Sequence, residues 1–84
     1  MKSYQLTKHE QKQQKELQRL LAEVNEKLKG VKIGAYIEEE YRMDRVIQQL
    51  LVEGLMYLEK GDGYNYAIAL DRLESVGIWF RFII

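Results

Sequence analysis

The chain carries little from which a covalent reaction could be built. It has one histidine, His9, and no cysteine, so thiolate nucleophiles, disulfides and zinc-thiolate clusters are excluded. Its aliphatic hydroxyls are Ser3, Thr7 and Ser75, and nucleophilic catalysis needs such a group beside a base. Ser3 and Thr7 stand at one end of the chain. His9 lies in a polar stretch, where a solvated side chain is the plain reading, and no second ligand follows it at metal spacing. Glu38, Glu39, Glu40 and Asp44 offer the oxygen atoms that divalent cations take, but an acidic run also suits the positive end of a helix dipole, and that reading is preferred. Gly61-Asp62-Gly63 lacks the glycine pattern and the lysine of a phosphate loop and reads as a turn. The residues point away from an enzyme, with no catalytic group, metal or cofactor expected.

Two surface features suggest binding instead. On a helical wheel Lys8, Lys12, Lys15 and Arg19 fall within about 60° of one another, opposite a stripe of leucines, and form one basic ridge. Lys8 with Lys12 and Lys15 with Arg19 are like-charge pairs at i, i+4, which an anionic partner would relieve. The competing reading is a solvated face with Glu16, Glu23 and Glu26 nearby. The second feature is the C-terminal Ile-Trp-Phe-Arg-Phe-Ile-Ile of residues 78–84. Read as a core strand, it turns Ile78, Phe80, Phe82 and Ile84 inward and leaves Trp79, Arg81 and Ile83 to meet another copy of the chain. Tryptophan and arginine are enriched at interface hot spots, and a bare apolar edge invites aggregation.

The elements that would position these residues are signalled unevenly. Thr7-Lys-His-Glu10 is a capping-box pattern, and Leu17, Leu20, Leu21, Val24 and Leu28 recur at helical spacing before Gly30, which predicts a helix over 7–29. Its first turns hold no apolar residue, so they are expected to project into solvent or meet a partner. Val31, Ile33, Ala35 and Ile37 alternate with other residues as in a half-buried strand. A central helix starting at 39 or 44 and ending at 60 follows, with Met43, Val46, Ile47, Leu50, Leu51, Leu55 and Leu58 to bury and Gly54 allowing a neighbour to approach. Residues 64–76 alternate at first, but a Schellman stop built on Leu73, Gly77 and Ile78 favours a helix. The apolar run 78–84 then reads as a second strand.

Gly54-Leu-Met-Tyr57, Gly61 and Ala67 resemble the helix-turn-helix of a tetratricopeptide repeat. An extra residue after Gly61 breaks the repeat's register and no second copy follows, so the stretch is taken as a generic helical hairpin and no family is claimed.

Eighty-four residues hold one domain, 1–84, with 1–6 expected as a flexible N-terminus. The predicted class is α+β, in the order helix-strand-helix-helix-strand with a small sheet, the alternative being two helices with a three-stranded sheet. Thirteen basic and thirteen acidic side chains cancel, although residues 1–30 carry seven basic and four acidic ones. No N-terminal apolar run and no stretch of roughly 18 apolar residues is present, so a cytoplasmic protein away from membranes is expected. So small a domain gains from oligomerisation. The function expected is a non-enzymatic protein-interaction module that self-associates, a regulator or inhibitor of phage or bacterial type that occludes a macromolecular partner. The rival expectation is a nucleic-acid-binding protein using the basic ridge.

Overall fold

A computed structural model describes residues 4–30 and 39–79, without the side chains of Glu39 and Glu40. These residues form three helices, α1 (Lys8–Leu28), α2 (Glu39–Lys60) and α3 (Gly63–Ser75).

Each helix end follows from local chemistry. The capping box at α1 is formed in full: the Glu10 amide donates to Thr7 Oγ1 at 3.1 Å and the Thr7 amide to Glu10 Oε1 at 2.9 Å. Two of the orphan donors of the first turn are satisfied this way. Beside this start, α2 stops where Gly61 adopts φ +74° and the Asp62 amide donates back to the Tyr57 carbonyl at 2.9 Å. Asp62 then caps α3 by accepting from the Asn65 amide at 3.2 Å. The Schellman stop of α3 is present: the Ile78 amide donates to the Leu73 carbonyl at 2.9 Å, the Gly77 amide to Glu74 at 3.0 Å, and Gly77 has φ +91°.

The core joins Leu17, Val24 and Leu28 of α1, Ile47, Leu50, Leu51, Leu55 and Leu58 of α2, and Leu70 and Leu73 of α3. Leu17, Leu51 and Leu73 are fully enclosed. Both α1 and α3 lean on α2. Gly54 brings α3 close, since a Cβ built there would stand 4.0 Å from that of Ala69. On the α1 side the Gln14 amide donates to Glu59 at 3.0 Å and the Gln48 amide to Asn25 at 2.6 Å, which fixes an antiparallel register.

The fold class is therefore corrected. Among the described residues there is no strand, and the α+β expectation gives way to a small all-α domain. The alternation of Tyr64, Tyr66, Ile68 and Leu70 yields to the helical set Tyr66, Ala69, Leu70 and Leu73, three of which are buried, so the three-stranded alternative fails as well. Ile78 is not a strand residue, because its amide is spent on capping α3 and its side chain packs on the core. The expected strand over residues 31–37 and the remainder of 78–84, with Arg81 and Ile83, lie outside the described residues.

Two further expectations are modified. The polar first turns of α1 are solvated on one side, with Lys8, His9, Gln11, Lys12 and Lys15 exposed, but they also touch the rest of the fold: the Gln14 amide donates to Glu59, and just before the helix Leu6 packs against the core and the Tyr4 hydroxyl donates to Glu10 at 3.0 Å. Met43 and Val46, expected in the core, are 53% and 47% exposed. Among the described residues no helix is long and apolar enough to cross a membrane.

Candidate interaction surfaces

The basic ridge is only partly a free surface. Lys8, Lys12 and Lys15 are exposed on one side of α1, as the spacing requires. Arg19 is not available in the same way, because its guanidinium pairs with Glu16 at i−3 and Glu23 at i+4, with Nε to Glu16 Oε1 at 3.0 Å. The hydrogen bonds that Arg19 donates hold the Glu16 carboxyl below its ordinary range, and the same bonds raise the guanidinium further. Exposed pairs of this kind add little stability. Their consequence is electrostatic: the C-terminal end of the ridge is neutralised, leaving three lysines over the first turns.

Trp79 is 56% exposed just after the cap of α3, while its neighbour Ile78 turns inward. This is the alternation expected at that point, carried here by a helix stop and not by a strand. Among the described residues no group of three or more His, Asp or Glu side chains is placed to hold a metal.

An apolar opening between α1 and α2 was not foreseen. Leu21 of α1 and Val52, Leu55 and Met56 of α2 line an open groove of about 550 Å³, with Glu59 and Lys60 at one end. Val52 and Met56 are 46% and 38% exposed. Their origin is geometric. The buried residues of α2 span an arc that faces both neighbours at once, and Val52 and Met56 fall on the opposite arc beyond the α1 seam. A wheel drawn for α2, as for α1, contains this signal.

A smaller and more polar pocket of about 100 Å³ lies where the segment before α1 crosses the α2–α3 turn. Tyr4, Tyr57 and Tyr66 line it with Glu10 and Asp62. Glu10 is held below the usual carboxylate range chiefly by the Thr7 amide, and Asp62 chiefly by the Asn65 side chain, so both carry charge at neutral pH.

No protein-family model, curated protein or solved structure matches the chain, so neither surface can be read through a relative.

Proposed function

We propose that the protein is a small non-enzymatic interaction module that works by covering a macromolecular surface with the α1–α2 groove, and that the same groove pairs two copies of the chain. The observation that carries this reading is the placement of Val52 and Met56, two large apolar side chains left open beside Leu21 and Leu55. A groove of this kind accepts the apolar face of a helix, and methionine adapts to more than one partner. Its charged end has one carboxylate and one ammonium, Glu59 and Lys60. In a two-fold pairing whose axis passes beside this end, Glu59 of each copy could meet Lys60 of the other, since an isologous contact repeats every pair reciprocally.

Nucleic acid on the ridge of Lys8, Lys12, Lys15 and Arg19 is the weaker reading, because Glu16 and Glu23 occupy Arg19 and the whole-chain charge is zero.

Sedimentation velocity over a wide concentration range tests the proposal, with Val52→Glu and Met56→Glu as variants. Wild type is expected to dimerise, and either variant to weaken the dimer at least about tenfold while keeping its helical circular dichroism, since both sites are exposed. A wild type that stays monomeric at high concentration refutes self-association. A dimer indifferent to both variants refutes the groove. Salt-sensitive binding to mixed nucleic acid, lost on replacing Lys12, Lys15 and Arg19 with Glu, would transfer the function to the ridge.

A further inference from the structure

The tyrosine pocket has a composition that the groove does not explain. We propose that it is a binding site for an organic cation, specifically the head of a methylated ammonium. Three aromatic rings, those of Tyr4, Tyr57 and Tyr66, line a space of about 100 Å³, and the charged groups in its wall are the carboxylates of Glu10 and Asp62. Ring faces are electron-rich and attract a cation that can shed its water, which a methylated ammonium does readily.

The aromatic wall is held in advance of any ligand. The Tyr4 hydroxyl donates to both carboxylate oxygens of Glu10, at 3.0 and 3.1 Å, and its ring packs so closely on Gly61 that a Cβ there would stand 2.6 Å from Cδ2. The volume suits one head group and not a drug-sized molecule.

The hydrogen bonds in the wall decide between kinds of cation. Glu10 already accepts from Tyr4 and the Thr7 amide, and Asp62 from the amide and side chain of Asn65. A calcium or magnesium ion needs six or more oxygen ligands with free lone pairs, and these carboxylates have little left to give. A diffuse ammonium needs only their field and the ring faces.

Each carboxylate also caps a helix N-terminus, which carries roughly half a positive charge, so the two leave about one net negative charge at the pocket. Lys60 and His9 lie near enough to act on Asp62 and Glu10, yet neither lines the pocket.

The test is an NMR titration of the full chain with tetramethylammonium chloride against sodium chloride at matched ionic strength. Saturable shifts centred on Tyr4, Tyr57, Gly61, Asp62 and Tyr66 are expected, with millimolar affinity. Tyr57→Leu and Asp62→Asn should each weaken binding about tenfold, as loss of one ring face or one charge implies. Asparagine caps a helix as well as aspartate, so the second variant removes charge without removing the cap. Tyr4→Phe keeps the ring but loses the hydroxyl bonds that hold it, so it should weaken binding less than Tyr57→Leu. Shifts no larger than those in sodium chloride would overturn the proposal, as would unchanged binding by Asp62→Asn. The groove variants Val52→Glu and Met56→Glu should leave this titration unaltered, so the two sites stand or fall separately.

Discussion

Gly61→Ala should cost more than the roughly 1–2 kcal/mol of backbone strain alone, from two sources that can be separated. Gly61 has φ +74°, and an L-residue in the left-handed region costs about 1–2 kcal/mol. The second source is Tyr4. A Cβ at position 61 would stand 2.6, 2.7 and 2.9 Å from three atoms of its ring, so the ring must withdraw by about 1 Å to reach ordinary contact. Withdrawal loosens the ring from the α2–α3 turn and disturbs the hydroxyl bond to Glu10. In a Tyr4→Ala background only the backbone cost remains. A double-mutant cycle by urea unfolding, at one fixed protein concentration so that self-association does not intrude, should therefore give a coupling near 1 kcal/mol. Gly54→Ala is the internal contrast. Its new methyl would meet Ala69 Cβ at an ordinary 4.0 Å within a helix, so stability should hold or rise by up to about 1 kcal/mol. A Gly61→Ala cost that is the same with and without Tyr4, within about 0.3 kcal/mol, would refute the close packing of the N-terminal segment on the turn.

The core and the caps make two further claims. Leu51 is fully enclosed between α1 and α3, so Leu51→Ala should cost about 2–5 kcal/mol in urea unfolding, whereas exposed His9→Ala should cost less than about 0.5 kcal/mol. Glu10 has its carboxyl lowered in the folded chain, so its contribution is present above the unfolded carboxylate value, about 4.3, and is lost as pH falls through the lower folded value. Stability followed from neutral to acid pH should decline less steeply in Glu10→Gln than in wild type, since glutamine keeps the capping-box bond but does not titrate there; an identical decline in both would remove Glu10 from the acid response.

What the sequence disclosed and what it concealed divide by the range of the interaction. Thr7 with Glu10, and Leu73 with Gly77 and Ile78, are motifs closed within six residues, and their hydrogen bonds are found where the spacing places them. The stripe from Leu17 to Leu28 was legible for the same reason, because α1 buries one face and period alone identifies it. The strand expectation at Ile78 failed because the residue serves the Schellman stop instead, so the amide it needed for a ladder is claimed by the cap of α3 despite the β-branched and aromatic composition that follows. The polar turns of α1 are largely exposed, as expected, but the contacts of Gln14 with Glu59 and of the preceding Tyr4 with the α2–α3 turn were hidden because those partners lie tens of residues away. Periodicity says nothing about such contacts. The basic ridge was seen as a row of cations, but not that Glu16 and Glu23 would both turn toward Arg19.

The two proposed surfaces follow from one feature of the architecture, the position of α2 between its neighbours. Because α1 and α3 both lean on α2, its buried arc is wide enough to serve two seams, and an opening lies beside each. On the α1 side the opening is apolar, since Val52 and Met56 stand exposed near Leu21 and Leu55. On the α3 seam it is aromatic and acidic, since the turn needs Gly61 for its backbone, Asp62 for the cap, and Tyr4 to close over both. The tyrosine pocket is thus tied to residues the fold already requires, and a ligand there would find a site ordered beforehand. The groove has no such obligation. Replacing Val52 or Met56 by a polar residue would leave every buried side chain of the core in place, so a loss of pairing in such variants would report on the groove and not on the fold.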